Sequence, residues 1–122
     1  MKPAAQPGQD TTTHRDATAD LAAAIDLLWV RFLPEIRNRV DLLEAAAAAC
    51  GANQLSTAQR EAAQAAAHKL AGTLGTFNLT RGTVLAREFE LLCDHEETPA
   101  CRNAERLASI AKEIRAIVDS RK

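Results

Sequence analysis

The chain has few aromatic residues, because its 122 residues include one tryptophan, three phenylalanines and no tyrosine. It also lacks the alternation of apolar and polar residues that is typical of strands, and it has no turn sequence typical of a β-hairpin. Apolar residues recur instead at steps of three and four along most of the chain. The sequence therefore predicts an all-α fold.

Neither sign of charge dominates, since 15 lysines and arginines are balanced by 16 aspartates and glutamates, for a net charge of −1. No basic run marks a surface that would follow a phosphate backbone, so nucleic-acid binding is not expected. The apolar runs are shorter than the roughly 20 residues of a membrane span, and the N-terminus has no apolar signal-peptide core. We expect a cytoplasmic monomer that does not associate with membranes.

The three cysteines, Cys50, Cys93 and Cys101, form no Cys-x-x-Cys pair, and their odd number is typical of reduced thiols. The spacing of Cys93, His95 and Cys101 matches no standard zinc pattern, so we expect no metal site. The sequence also has no Walker loop, no kinase-like glycine-rich loop and no cluster of carboxylates that would bind Mg²⁺. ATP binding and a cofactor are therefore not expected.

Residues 1–18 contain prolines, a glycine and a run of threonines without apolar periodicity, which is typical of a disordered lead or linker. Residues 19–122 predict an antiparallel four-helix bundle with an additional N-terminal helix, five helices in all. We expect Trp29 to be half buried on the first helix. The predicted core positions of the five helices, in order, are Leu21, Ile25, Leu28 and Phe32; Ile36, Val40, Leu43 and Ala47; Ala63, Ala67, Leu70, Leu74 and Phe77; Val84, Leu85, Phe89 and Leu92; and Leu107, Ile110, Ile114 and Ile117.

The ends of these helices are predicted from residues that start or stop a helix. Pro34 cannot occupy a helix interior without a kink, so it separates the first helix from the second. Gly51 is the expected C-cap of the second helix, and Asn78 ends the third because asparagine tolerates the left-handed conformation. The expected N-caps are Thr18 or Asp20 for the first helix, Ser56 or Thr57 for the third and Thr80 for the fourth.

The third helix carries a histidine on the side opposite its predicted core stripe. At about 100° per residue, His68 lies about 200° from Leu70 and therefore faces solvent. Gly72 and Gly75 follow one and two turns later near the same side, although a glycine inside a helix costs roughly 1 kcal/mol relative to alanine. Space for another molecule to approach the imidazole would offset that cost. The pattern predicts a docking surface around a reactive histidine.

The run His68-Lys69-Leu70-Ala71-Gly72, followed by Gly75-Thr76-Phe77, resembles the active-site helix of histidine phosphotransfer (HPt) domains of bacterial two-component phosphorelays. Residues 28–35 are also similar to the entry helices of a bacterial subset, so the resemblance covers nearly the whole chain. Many members have lysine three residues after the histidine, where this chain has Ala71 and places Lys69 earlier. Many also have glycine at the position of Asn78.

The resemblance implies that Nε2 of His68 takes a phosphoryl group from an aspartyl phosphate and passes it to a second aspartate. The implied partner is a receiver domain of a response regulator or hybrid histidine kinase, which would supply Mg²⁺ and most of the catalytic groups. No autonomous ATP-dependent activity is implied. The residues expected to contact the phosphoryl group or the partner are Gln64, Ala65, Lys69, Gly72, Gly75 and Thr76, with a second cation from Arg81 or Arg87.

Two functions are compatible with these residues. The first is a relay intermediate that is phosphorylated on His68. The second is a non-phosphorylated helical interaction module that binds a receiver domain or a kinase. Gly75 also has a second interpretation, since a glycine there would let a neighbouring helix pack closely.

Overall fold

A computed structural model describes residues 6–94 and 102–121, with side chains from residue 17 onward. These residues form four helices and no strand: α1 (Gln6–Gly51), α2 (Thr57–Thr76), α3 (Thr80–Cys93) and α4 (Ala104–Ser120). The predicted all-α fold is confirmed. The chain divides into two compact units, Met1–Phe32 and Leu33–Lys122. None of the helices in the described ranges is both long and apolar enough to cross a membrane.

The second unit is an antiparallel four-helix bundle made of the end of α1 together with α2, α3 and α4. Ion pairs join α4 to both of its neighbours. Within each set, residue numbers rise along one helix as they fall along the other, so the paired helices run in opposite directions. The pairs are Arg81–Glu113 and Arg106–Glu88 between α3 and α4, and Arg37–Asp119, Arg115–Asp41 and Arg115–Glu44 between α1 and α4.

The core of this unit is mostly aliphatic, with two phenylalanines and two cysteines, and contains no buried polar or charged side chain among the described residues. The predicted core positions of residues 36–47 and of α2 are all buried, which confirms both stripes. In α4 the first three predicted positions are buried and Ile117 is half-buried. In α3 the prediction is partly wrong, because Val84 is 54% exposed and Leu92 is half-buried. The buried face of this helix runs instead through Leu85 and Phe89.

Helix α1 continues through Pro34, so the predicted break between a first and a second helix is wrong, and no separate N-terminal helix is added to the bundle. A proline inside a helix removes one backbone donor. Pro34 is exposed, however, and water can hydrate the carbonyl group that is left without a partner. The loss of one hydrogen bond on the solvent side does not end the helix.

The core stripe predicted for residues 21–32 is also wrong. Leu21, Leu28 and Phe32 are 62%, 42% and 41% exposed, and Ile25 is half-buried. Trp29, which was expected to be half buried, is only 2% exposed. A prediction from apolar periodicity treats all apolar residues alike. Burial of one indole ring, however, removes far more surface from water than burial of one aliphatic side chain, which favours burial of Trp29.

The helix starts agree with the sequence at one place and differ at two. Ser56 caps α2 as predicted, since its Oγ accepts a hydrogen bond from the backbone N–H of Gln59 at 3.0 Å. Helix α3 has Leu79 rather than Thr80 at its N-cap. Helix α1 begins at Gln6, before both of its predicted caps. Residues 1–5 lie outside the described residues, and the division into a lead over 1–18 and a bundle over 19–122 stays a prediction.

Left-handed asparagines end α1 and α2. Asn78, with a φ of 60°, ends α2 as predicted, and the N–H of Leu79 donates to the carbonyl of Leu74 at 2.9 Å. The end of α1 has the same geometry, but Asn53, with a φ of 57°, takes the place that was predicted for Gly51. Gly51 is instead the last residue of the helix. Both closures satisfy carbonyl groups that a helix end leaves without partners.

Candidate functional site

The exposed side of α2 brings most of the predicted site residues together. His68 is exposed, and Gly72 follows one turn later on the same side. Leu70 and Leu74 are fully buried on the opposite side, as the sequence predicts. The site residues that share this exposed side are Ala65, His68, Lys69, Gly72, Gly75 and Thr76. Gln64 is half-buried at the border between this side and α3.

The imidazole of His68 forms a hydrogen bond with Glu90 of α3, with 2.9 Å between Nδ1 and Oε2. The side chain of His68 is 74% exposed and that of Glu90 is 27% exposed. An ionised carboxylate can only accept a hydrogen bond, so Nδ1 is the donor and carries a ring proton. When the imidazole is neutral, Nε2 is therefore the unprotonated nitrogen, and its lone pair is available as a nucleophile.

Glu90 was not predicted from the sequence. It belongs to a polar stripe of α3 that runs along α2. Thr83 starts this stripe and donates from Oγ1 to the carbonyl of Ala71 at 3.0 Å. The other members follow at steps of four, three and four and are Arg87, Glu90 and Asp94. This periodicity is visible in the sequence, but the sequence does not show that the stripe lies beside His68.

Two further contacts tie the end of α3 to α2 next to the site. Nε2 of Gln64 donates to Oδ1 of Asp94 at 3.0 Å, and Nη1 of Arg60 donates to the carbonyl of Cys93 at 2.8 Å. Gln64 was expected to contact the phosphoryl group or the partner, and its amide nitrogen is bonded to Asp94. Both contacts lie on the N-terminal side of His68 and join α2 to the part of α3 that follows Glu90.

The glycines of the site serve different purposes. A Cβ added to Gly72 would meet no atom within 4 Å, so this position is open to an approaching molecule. A Cβ added to Gly75 would lie 3.3 Å from Oγ1 of Thr83, so Gly75 permits the close approach of α3. The hydroxyl of Thr76 donates to the carbonyl of Gly72 at 3.1 Å within the same helix. Gly82 was not predicted to have a role, and a Cβ added to it would lie only 2.8 Å from a side-chain carbon of Leu74.

The structure distinguishes between the two arginines that were considered as a second cation. Arg81 faces α4, where its Nε and Nη2 donate to Oε2 of Glu113 at 3.2 and 3.0 Å. Arg87 is exposed on the α2 side of α3 and forms no ion pair with the described residues. Lys69 is also exposed, about 100° around α2 from His68 and on the side away from α3. The two cations therefore flank the histidine.

The thiol of Cys93 lies near the site but does not act as a nucleophile at neutral pH. Its side chain is buried, and burial raises the pKa of this thiol to about 11, against the smaller opposing effect of the Arg60 cation. Among residues 6–94 and 102–121, no three histidine, cysteine or acidic side chains are grouped to hold a metal ion. His95 and Cys101, which were weighed as ligands together with Cys93, lie outside the described residues.

The fold and the site define a helical bundle whose second helix presents a solvent-exposed histidine bonded to a carboxylate on the next helix. The family model described as Hpt domain matches residues 27–119 of this chain. The chain belongs to the Hpt domain family. Hpt domains are phosphotransfer modules of two-component phosphorelays and interact with receiver domains and kinases.

The chain is also similar to Protein RcaC of Microchaete diplosiphon, with 29% identity over 104 residues. The match covers 85% of this chain but only 16% of that protein. The chain thus spans a small part of the relative's length. No solved structure matches the chain.

Proposed function

We propose that this chain is a phosphorelay intermediate that carries a phosphoryl group on Nε2 of His68. The hydrogen bond between His68 and Glu90 is the observation that carries the proposal. It supports a ring proton on Nδ1, bonded to the Glu90 carboxylate, and an unprotonated Nε2 on the exposed side of the helix as the proposed nucleophile. Membership of the Hpt domain family supports the same function.

In the proposed reaction, Nε2 attacks the phosphorus atom of an aspartyl phosphate in line with the leaving oxygen. The new N–P bond forms as the P–O bond breaks, and the aspartate carboxylate leaves with the electron pair. The ring keeps its proton on Nδ1 and becomes positively charged. Glu90 accepts the hydrogen bond from that proton, so its negative charge stabilises the ring as the positive charge develops. The reverse step returns the phosphoryl group to a second aspartate.

The proposed partner is a receiver domain that supplies the aspartate and Mg²⁺, since phosphoryl transfer depends mainly on positioning and on neutralisation of the phosphoryl oxygens. The open space at Gly72 beside His68 supports docking of such a partner. Ala65 and Thr76 extend the exposed surface, and Lys69 adds a positive charge next to it. We further propose that the relay operates in the cytoplasm and that this chain acts in it as a monomer.

The alternative is an interaction module that binds a receiver domain or a kinase without being phosphorylated. Such a module would require the exposed face of α2 but not the hydrogen bond between Nδ1 and Glu90. The geometry therefore favours the relay function.

Incubation of the full chain with a phosphorylated receiver domain tests the proposal. The wild type is expected to acquire a label that is lost in acid, as expected for a phosphohistidine, whereas His68→Gln acquires none. Circular dichroism should show the same helix content in both proteins, because the side chain of His68 is mostly exposed. A label that persists in the variant would place the phosphoryl group on another residue, and absence of label in the wild type would favour the interaction module.

A further inference from the structure

We propose that Arg87 is a second functional cation of this site and that its guanidinium group contacts the phosphoryl oxygens carried by His68. The proposal rests on the proposed function, because it needs a phosphoryl group on Nε2. The geometry of the polar stripe on α3 leads to it.

Arg87 lies between the two points at which this stripe contacts α2. Glu90, three residues later, bonds to the ring of His68, and Thr83, four residues earlier, bonds to the carbonyl of Ala71. Residues three or four apart on a helix are neighbours, with roughly 5–6 Å between their Cβ atoms. The side chain of Arg87 therefore starts at the level of the α2 turn that joins His68 to Gly72.

Arg87 is also available for a ligand. Helices α3 and α4 contain three other arginines, and each of these forms an ion pair with a carboxylate of a neighbouring helix. Those three are Arg81, Arg106 and Arg115. Arg87 is exposed and forms no ion pair with the described residues. The open space at Gly72 leaves room for a long side chain beside the imidazole. A guanidinium group presents several N–H donors in a plane that matches the oxygens of a phosphoryl group.

Phosphorylation of His68 would place negative charges close together, and a nearby cation would reduce their repulsion. A phosphoryl group on Nε2 brings up to two negative charges to a ring that is already bonded to the carboxylate of Glu90. Asp94 adds a further carboxylate at the end of the same stripe. Lys69 lies on the other side of His68, away from α3. Arg87 is thus the cation placed to reduce the repulsion between the phosphoryl group and the acidic side of α3.

Chemical phosphorylation of the full chain with phosphoramidate tests this role without a partner protein. Nε2 forms a bond to phosphorus as the P–N bond of the reagent breaks, and ammonia leaves. ³¹P NMR then follows the pH titration of the phosphoryl group in the wild type, in Arg87→Gln, in Arg87→Lys and in Arg81→Gln. The last variant is the matched control, because it loses the same charge from the same helix on the α4 side.

A nearby cation favours the dianionic phosphoryl group and lowers its pKa. The pKa is therefore expected to rise by about 0.7 of a pH unit in Arg87→Gln, the shift for a unit charge in contact at about 4 Å in water. Arg87→Lys should restore most of the shift, and Arg81→Gln should titrate like the wild type. If the titration curve of Arg87→Gln superimposes on that of the wild type, the proposed role of Arg87 is refuted, but the proposed phosphorylation of His68 is not. A wild type whose phosphohistidine signals are the same as those of His68→Gln carries no phosphoryl group on His68, which refutes the proposed function and the role of Arg87 together.

Discussion

Replacement of Glu90 by glutamine removes the negative charge beside His68 and nearly keeps the size and shape of the side chain. The amide oxygen of glutamine can still accept the hydrogen bond from Nδ1–H. The tautomer that leaves Nε2 unprotonated is then preserved. The substitution therefore isolates the electrostatic contribution of Glu90 to phosphoryl transfer.

The structure sets the size of the expected effect. Nδ1 and Oε2 are 2.9 Å apart, and the side chain of His68 is 74% exposed, so the interaction is screened strongly by water. At a dielectric constant near that of water, two unit charges at this distance attract each other by roughly 1.4 kcal/mol. Loss of this attraction as the ring becomes positively charged corresponds to a decrease of about tenfold in rate.

Rapid-quench measurement of a single turnover with a saturating phosphorylated receiver domain gives this rate. Glu88→Gln is the matched control, since Glu88 lies on the same helix but is bonded to Arg106 of α4. The control should transfer at the wild-type rate, and urea unfolding should show that Glu90→Gln remains folded. A Glu90→Gln protein that transfers as fast as the wild type would refute the electrostatic role of Glu90. An equal loss in both variants would indicate a general effect of net charge.

Three further predictions concern stability and reactivity. Gly72→Ala should raise the free energy of unfolding by up to about 1 kcal/mol, because an added Cβ meets no atom within 4 Å. Gly82→Ala should be the less stable of the two variants, because its Cβ would lie 2.8 Å from a side-chain carbon of Leu74, which must shift. Urea unfolding measures both, and equal stabilities would contradict the close packing at Gly82. Burial raises the pKa of the Cys93 thiol to about 11. Alkylation of Cys93 by iodoacetamide near pH 8 should therefore be at least about a hundredfold slower in the folded than in the urea-unfolded chain. Peptide mass spectrometry follows the alkylation, and equal rates in the two states would refute the prediction. The hydrogen bond from Arg106 lowers the pKa of Glu88 below its ordinary value of 4.5, so the pair stabilises the fold above that value and the stabilisation is lost as the pH falls through the lowered pKa. Between about pH 6 and about pH 3, the wild type should therefore lose more stability than Glu88→Gln, and parallel losses would argue against the pair.

Helix α2 shows how much of the site could be predicted from the sequence. Its cap at Ser56, its end at Asn78 and the exposure of His68 all follow from interactions within a few residues along the chain. A cap depends on a hydrogen bond to the third residue that follows it, and the exposed side follows from the helical period. Local geometry of this kind is contained in the sequence.

Helix α1 shows where local signals fail. Pro34 predicts a break, and the apolar stripe of residues 21–32 predicts a buried face, yet the helix continues and the stripe is largely exposed. A helix breaker only sets a cost, and the cost is small where water can replace the lost hydrogen bond. The tertiary structure decides whether other interactions offset the free-energy cost of the proline, and it decides which face of the helix is buried.

The sequence by itself determined the helical class, the stripe that buries α2 and the histidine that this helix exposes. Only the tertiary structure placed Glu90 on that histidine and separated Arg87 from Arg81. His68 and Glu90 lie 22 residues apart in the chain. Their contact depends on the register between α2 and α3, which is set by packing such as that of Gly75 against Thr83. Helical periodicity specifies the direction of a side chain around its own axis, but the partner that it meets depends on how the helices pack against each other.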